Sequence, residues 1–271
     1  MHPKTFQRYR ELIHSHSGID LSPGKEALVS SRLAKRIREL GLQDEIAYLD
    51  YLASEESIDE LTRLIDMMST NVTSFLREST HFELIDELLR NSWRRGPQPI
   101  LLWSAACSSG QEPYTLAMVA SEAAIACRVD PKLVKILATD ISTEILQKAE
   151  SGLYSERELQ GVPKDWLKKY FRTTTQAGHF QTSDAIRAMV TFRRLNLSKT
   201  PYPMQGPFDA VFCRNVMIYF DNEVRTRIVS EASRLLRPGG LFLIGHSENL
   251  TGIPTSLKIT RPTVYQRAGG E

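Results

Sequence analysis

The stretch of sequence that decides the fold is ILLWSAACSSGQEPYTLAM, residues 100–118. It opens with four apolar residues, continues through small residues at 105–110, and enters a helical pattern at Glu112. This pattern predicts a buried strand, a tight loop and a helix, in that order. Pro113 suits the first turn of the helix, because the N–H that proline lacks would be unpaired there anyway.

The small side chains of this loop would let backbone N–H groups approach a ligand closely. The same kind of loop also occurs where a helix merely packs on a strand. The loop alone therefore leaves a ligand site and simple packing equally open.

Length and composition indicate a soluble globular protein. At 271 residues the chain has room for one large domain or for a large and a small one, and 41% hydrophobic residues are enough for a core. No apolar run approaches the roughly 18 residues of a membrane span, and the first residues lack the apolar core of a signal peptide. We therefore expect a cytoplasmic protein that does not insert into a membrane.

The net charge and the cysteines argue against two kinds of site. A formal net charge of +2 gives no bulk reason to bind nucleic acid, so any charge effect must be local. The three cysteines, Cys107, Cys127 and Cys213, have no paired spacing, which indicates neither a disulfide framework nor a zinc site. We expect reduced thiols and no metal.

Residues 1–66 have helical periodicity and are predicted to form a small helical domain. Apolar residues recur at helical spacing, Asp44 can cap one helix, and Ser57 or Asp59 can begin another. The helix predicted at residues 25–40 is strongly basic, and its basic residues lie largely off the apolar stripe: Arg32, Lys35, Arg36 and Arg38. Such a run is either a solvated face or a docking surface for an acidic partner.

A segment rich in Ser, Thr and Asn begins the second predicted domain, residues 67–271. Asn71, Thr73 and Arg77 alternate in a way that could present all three to one side, as polar residues that line a cleft between domains do. Helix capping together with a surface arginine is the alternative interpretation.

From residue 100 onward strands and helices alternate, which predicts a mainly parallel sheet with helices on both faces. The second strand ends at Asp140, where nucleotide-binding sheets place a carboxylate for the ribose hydroxyls. Asp140 could instead cap the following helix, and the two roles are compatible.

Residues 152–190 interrupt this alternation with short helical pieces and a polar loop, which predicts an inserted subdomain. Later strands include one that ends near Arg214 and Asn215. A helix stopped by Pro238-Gly239-Gly240 follows, and residues 257–267 are predicted to form a pair of edge strands.

Six strings along the chain carry a resemblance to a known family. They are TNVTSFLRESTHF, WSAACSSGQEPYTLAM, ATDIS, FDAVFCRNVMIYF, RPGG with LFLIGHSEN, and TVYQR. Together they resemble the CheR family of chemoreceptor methyltransferases over essentially the whole chain. The resemblance implies a Rossmann-like α/β domain that binds S-adenosylmethionine (SAM), with a small inserted subdomain and a preceding all-α domain. It also implies methyl transfer to glutamate carboxylates of chemoreceptors, which forms glutamyl methyl esters and S-adenosylhomocysteine during sensory adaptation in chemotaxis.

The resemblance assigns roles to individual residues. It places Arg77 beside the transferred methyl group and Tyr219 in the same pocket, so these two are the expected catalytic residues. It makes the four basic residues of the second helix the expected docking surface for the receptor's acidic methylation region. It assigns the cofactor site to Asn71, Thr73, Arg77, Glu112, Asp140, Asn196, Leu197, Arg214 and Asn215.

The chain departs from the family pattern at a few positions. Some members grip a tethering peptide of the receptor through a glycine-rich turn, whereas residues 172–179 here contain one glycine. We therefore expect no dependence on such a peptide, and we expect a monomer that binds no nucleic acid. Gln111 stands where an acid is common, and Leu76 stands where an aromatic residue is common.

Three alternative functions are disfavoured by features of the sequence. The segment after Phe212 lacks the Asn/Asp-Pro-Pro-aromatic string of methyltransferases that modify nucleic-acid amino groups. A non-catalytic adaptor would not need Arg77 and Asp140 intact, and a nicotinamide dehydrogenase would need a G-x-G-x-x-G loop. His246 is expected to be structural, because a glutamate already ionised at neutral pH needs no general base.

Overall fold

The computed structural model describes residues 1–54, 60–94 and 96–269, and Ser57 and Asp59 lie outside these ranges. Within these ranges, four helices form the N-terminal domain: α1 (Pro3–Ser17), α2 (Glu26–Glu39), α3 (Glu45–Leu52) and α4 (Glu60–Met68). Their apolar stripes meet in one core, which includes Tyr9, Leu33 and Leu64. The last of these helices ends at Met68.

The second domain is built on a seven-stranded sheet. Its strands are β1 (Ile100–Ser104), β2 (Val134–Asp140), β6 (Val190–Arg194), β7 (Phe208–Cys213), β8 (Leu236–Ile244), β9 (Leu257–Arg261) and β10 (Val264–Arg267), and their spatial order is β6-β2-β1-β7-β8-β10-β9. The first five strands in this order are parallel. The chain leaves β1 for β2 on one side and later adds β7 on the other, so a crevice opens at the carboxyl ends of these strands.

Helices cover both faces of this sheet, as predicted. Alternate strand residues point to opposite faces: Leu102 and Phe212 belong to one apolar core, and Trp103 and Val211 belong to another. Helices α5 (Thr80–Trp93) and α6 (Gln111–Cys127) pack in the first core, and α10 (Asn222–Leu235) packs in the second. Helix α7 (Thr143–Ser151) lies against β2 and β6.

Pro238-Gly239-Gly240 does not separate a helix from a strand, contrary to the prediction. Helix α10 ends at Leu235, and β8 begins at Leu236 and runs through all three residues. The pairing of β7 with β8 shifts register between Phe208 and Ala210, so the three residues form an irregular start of the strand. In the final pair of strands, β10 lies between β8 and β9, so only β9 is at the edge.

The segment predicted as an insertion contains a separate three-stranded antiparallel sheet. Its elements are β3 (Leu153–Ser155), α8 (Lys164–Tyr170), β4 (Phe171–Thr173), β5 (His179–Thr182) and α9 (Asp184–Arg187). The subdomain is attached to the small-residue loop, since the Tyr154 hydroxyl donates to the carbonyl of Ser109 at 2.7 Å. Gly110 follows with φ of 93°, and a Cβ there would lie 2.8 Å from that same hydroxyl oxygen. Among the helices in the described ranges, none is long and apolar enough to cross a membrane.

Two of the four basic residues on α2 make contacts inside the protein. The guanidinium of Arg36 donates to both carboxylate oxygens of Glu60, at 2.8 and 2.6 Å, and that of Arg32 donates to the carbonyl of Met68 at 2.7 Å. The bond from Arg36 holds the pKa of Glu60 below its usual value. Lys35, with 83% of its side chain exposed, and Arg38 face solvent. Two basic residues of α2 are therefore hydrogen-bonded within the protein, and two are exposed to solvent.

We predict that Arg36→Ala destabilises the helical domain, whereas Lys35→Ala does not. Removal of Arg36 leaves the Glu60 carboxylate buried without its countercharge, which costs about 3 kcal/mol of unfolding free energy. Loss of the exposed Lys35 charge changes that free energy by less than about 0.5 kcal/mol. Urea unfolding followed by circular dichroism measures both variants. Equal losses in the two would contradict the assignment of Arg36 to the interior.

Candidate active site

A cleft lies at the carboxyl ends of β1, β2 and β7, and the helical domain closes one side of it. Its empty volume is about 970 Å³ when the solvent in the open mouth is included. Ser17, Ile19 and Met68 line it from the helical domain. All nine predicted cofactor residues and Tyr219 line the same cleft: Asn71, Thr73, Arg77, Glu112, Asp140, Asn196, Leu197, Arg214, Asn215 and Tyr219.

Asp140 is fixed at the end of β2 by backbone amides. Its carboxylate accepts from the N–H of Ser108 at 2.9 Å and from the N–H of Ser142 at 3.1 Å. Burial raises the pKa of Asp140, and these amide bonds oppose that shift. The residue that caps α7 is Ser142, whose hydroxyl accepts from the N–H of Ile145, so the alternative role of Asp140 as helix cap was wrong.

A buried guanidinium, that of Arg214, lies between two acids. Its side chain is 1% exposed, with Glu78 at 3.1 Å on one side and Glu112 at 3.5 Å on the other. Burial raises the pKa of Glu112, although the charge of Arg214 and a hydrogen bond from Ser104 at 2.7 Å oppose the shift. For Glu78, burial is outweighed by Arg214 and by the bond from Asn215, and its pKa is lowered.

Part of the Arg214 guanidinium has hydrogen-bonding capacity left over. Within the described part of the chain, its Nε and Nη1 atoms make no hydrogen bond, although the Glu112 carboxylate lies 3.5 Å from Nη1. The rings of Phe82 and Phe212 lie 5.4 and 5.7 Å from its central carbon, so these neighbours offer only their π-faces. A buried donor without an acceptor is costly. A ligand oxygen in the cleft would satisfy it.

The side chain of Asn196 is already engaged within the protein. Its Nδ2 donates to the carbonyl of His16 at 2.6 Å, and its Oδ1 accepts from the backbone and hydroxyl of Ser198 at 2.9 and 2.8 Å. Nearby, Lys199 donates to the carbonyl of Ser15 at 3.0 Å. The Asn196 side-chain amide therefore connects the two domains. Its backbone carbonyl accepts from the N–H of Lys199 at 3.1 Å, so among the described residues its backbone N–H is the group left for a ligand.

The two expected catalytic side chains differ in how they are held. The guanidinium of Arg77 donates to the carbonyl of Val72 at 2.9 Å. Tyr219 is anchored through its backbone, since its carbonyl accepts from the N–H of Asp20 at 2.8 Å. No hydrogen-bond partner for the Tyr219 hydroxyl is found in residues 1–54, 60–94 and 96–269. This leaves the hydroxyl available to a ligand.

Sequence reasoning missed Glu248, which organises the wall of the cleft. Its carboxylate accepts four backbone N–H groups, those of Asn215, Val216 and Met217 at 2.8 to 3.0 Å and that of Gly245. Asn215 has φ of 57°, in the left-handed region, and the Glu248 carboxylate holds this turn through the N–H of Asn215. The only signal available was an acid in GHSEN, two residues after the His246 that attracted attention.

Sequence comparison identifies both domains. Residues 71–266 match the family model described as CheR methyltransferase, SAM binding domain, and residues 4–69 match the one described as CheR methyltransferase, all-alpha domain. The chain belongs to the CheR methyltransferase family. The predicted family, fold class, cofactor and SAM-dependent methyltransferase activity are thereby confirmed, and a nicotinamide dehydrogenase is ruled out.

Curated relatives of this CheR protein extend over nearly its whole length. A chemotaxis protein methyltransferase of Escherichia coli is 38% identical over 262 residues, which cover 96% of this chain and 89% of the relative. Chemotaxis protein methyltransferase 2 of Pseudomonas aeruginosa is 39% identical over 265 residues, covering 97% and 92% respectively. The similarity therefore includes the helical domain as well as the SAM-binding domain.

We predict that Glu248→Gln weakens the binding of S-adenosylhomocysteine. The carboxylate accepts hydrogen bonds from backbone N–H groups, whereas the NH₂ group of a glutamine cannot accept them. The turn at Asn215 therefore loosens, and the affinity for S-adenosylhomocysteine falls about tenfold. Isothermal titration calorimetry measures the Kd. The control is Glu223→Gln, at an acid whose side chain is 82% exposed. An unchanged Kd in a folded Glu248→Gln protein would contradict the assigned role.

Proposed function

We propose that this CheR protein transfers the methyl group of SAM to glutamate side chains of chemoreceptors and forms glutamyl methyl esters. The observation that carries the proposal is the single cleft in which the expected cofactor residues, Arg77 and Tyr219 lie together. The relatives named chemotaxis protein methyltransferase support the receptor as substrate.

The residues of the cleft fit the chemical parts of SAM. The Asp140 carboxylate, oriented by two amides, suits the ribose hydroxyls. Glu112 suits an ammonium group, and the unsatisfied N–H groups of Arg214 suit a carboxylate, so this pair matches an amino-acid moiety. Leu197 lines the cleft and, among the described residues, no acceptor takes its backbone N–H, which suits a ring nitrogen of adenine. Asn71, Thr73, Asn196 and Asn215 complete the proposed site.

In the proposed reaction the protein must position the two reactants, and it does not need to transfer a proton. SAM supplies an electrophilic methyl group on a sulfonium. A receptor glutamate is ionised at neutral pH and attacks without a general base. Arg77 orients that carboxylate by a charge-assisted hydrogen bond, and Tyr219 packs beside it and aims it. Fixing the two reactants in line supplies much of the rate.

The direct test uses purified protein, labelled SAM and membranes that carry chemoreceptors. Base-labile label on the receptor band, released as methanol, is the expected result. Absence of such label despite tight cofactor binding would overturn the proposed substrate and favour another acceptor or an adaptor role.

We predict that Arg77→Ala loses turnover while it largely keeps cofactor affinity. Without the guanidinium the acceptor carboxylate is misplaced, and kcat falls about 100-fold. The methanol assay gives kcat, and calorimetry with S-adenosylhomocysteine gives affinity. Turnover equal to that of the wild type would defeat the proposed role.

The basic face of α2 is the proposed docking surface for the acidic methylation region of the receptor. Lys35 and Arg38 offer exposed charge, whereas Arg32 and Arg36 contribute to the surface beside their internal contacts. Oppositely charged surfaces raise association rates and lower the KM for a macromolecular substrate.

We predict that the double variant Lys35→Glu/Arg38→Glu raises the KM for receptor about tenfold at low salt. Its kcat and its affinity for S-adenosylhomocysteine stay at wild-type values, because neither residue lines the cleft. The difference shrinks at high salt, since exposed charges are screened. Lys258→Glu, at an exposed lysine on β9, is the control. A KM that responds equally to both variants would refute a specific docking face.

The remaining expectations also stay proposals. The protein is proposed to act as a cytoplasmic monomer that binds no nucleic acid. The turn between β4 and β5 contains Gly178 with φ of 70°, and it lacks the run of glycines expected in a peptide-gripping turn. We propose that no tethering peptide is needed. Measurable binding of such a peptide to the purified protein would overturn this.

A further inference from the structure

The backbone around Arg77 is held in an unfavourable conformation. Leu76 and Glu78, the residues on either side, have φ of 57° and 56°. Non-glycine residues rarely adopt this left-handed region, and where they do, surrounding contacts must hold them there. The contacts that hold this turn therefore control how Arg77 is presented.

The carboxylate of Glu78 supplies several of these contacts. Its Oε1 accepts from Asn215 Nδ2 at 3.2 Å and from the N–H of His246 at 3.3 Å. Its Oε2 lies 3.1 Å from Nη2 of Arg214, and the side chain is only 11% exposed. One carboxylate thus joins the turn that bears Arg77 to the ends of β7 and β8.

Arg214 completes the arrangement from the other side. The same Nη2 atom that pairs with Glu78 also donates to the backbone carbonyl of Arg77. The carbonyl of Arg77 and the side chain of the next residue are therefore held by one guanidinium, which is itself buried in the wall of the cleft. These contacts restrict the backbone of the turn at residues 76–78.

We propose that Glu78 is a positioning residue for methyl transfer: through Arg214 and Asn215 it fixes the turn that aims Arg77 at the acceptor carboxylate. The inference rests on the proposed function, in which Arg77 orients the receptor glutamate. Glu78 itself contacts neither the methyl group nor the acceptor in this account.

A metal site is the rival explanation for the same residues. One atom each from Glu78, His81 and His246 lie within 4.8 Å of one another. However, Oε2 of Glu78 is already 3.1 Å from a guanidinium, whose positive charge repels a cation. The arrangement favours an ion pair over a bound metal.

The test compares Glu78→Gln with Glu87→Gln, which removes an exposed acid paired with Arg261. For Glu78→Gln we expect kcat to fall about 30-fold and the Kd of S-adenosylhomocysteine to change less than about threefold, with no change in the control. In an Arg77→Ala background, Glu78→Gln should lower kcat no further, because it acts through Arg77. Additive losses would make its role merely structural and overturn the proposal.

Hydrogen exchange provides a readout that does not depend on the substrate. The peptide covering residues 72–79 should exchange faster in Glu78→Gln than in the wild type, and unchanged exchange would overturn the proposal even if receptor methylation is observed. Absence of methylation by the wild-type protein would instead count against the proposed function.

If Glu78→Gln fails to fold, Glu78→Asp replaces it in these tests. Aspartate keeps the negative charge on a shorter side chain, so we expect a smaller loss of kcat. Loss of wild-type activity in EDTA and its return with Zn²⁺ would identify a metal ligand instead.

Discussion

The construction of this site depends on one buried positive charge. A guanidinium that is removed from water is tolerated only when acids and acceptors surround it, and the acids around Arg214 come from different parts of the chain. Glu78 lies in the junction after the helical domain, and Glu112 lies in the first turn of α6. Pairing the charge of Arg214 therefore brings together the junction, the small-residue loop and the end of β7. The cleft forms where these three segments meet.

The acids of the cleft mostly hold structure in place, which agrees with a reaction that needs no general base. Asp140 and Glu248 each bind backbone N–H groups, and both keep short loops rigid at the ends of strands. Rigid loops present ligand-binding atoms without a further ordering cost on binding. Glu248 is thus a structural acid, and Asp140 combines amide bonds that hold its loop with the proposed binding of the ribose.

Sequence patterns predicted the elements and the cleft better than they predicted individual contacts. Periodicity and the small-residue loop located the sheet, and the family resemblance selected residues that line one cleft. The pairing of Arg36 with Glu60, the use of the Asn196 amide between domains and the amide-binding role of Glu248 were not predictable. Each joins residues far apart in the chain, and a polar side chain has no local pattern that reveals its distant partner. The helix end predicted at Pro238-Gly239-Gly240 was wrong for a different reason. Pairing of β8 with β7 overrides the local tendency of these residues to end an element.

The contact between the domains has a mechanical consequence. Ile19 forms an antiparallel bridge with Phe220, and the N–H of Asp20 donates to the carbonyl of Tyr219. The segment after α1 is therefore hydrogen-bonded to the backbone at Tyr219. The helical domain is therefore a structural part of the cleft wall as well as the carrier of the basic helix. Helix α2 packs against α1 and α4 in one core, and α1 leads directly into this segment, so a displacement of α2 would shift the backbone contacts of Tyr219.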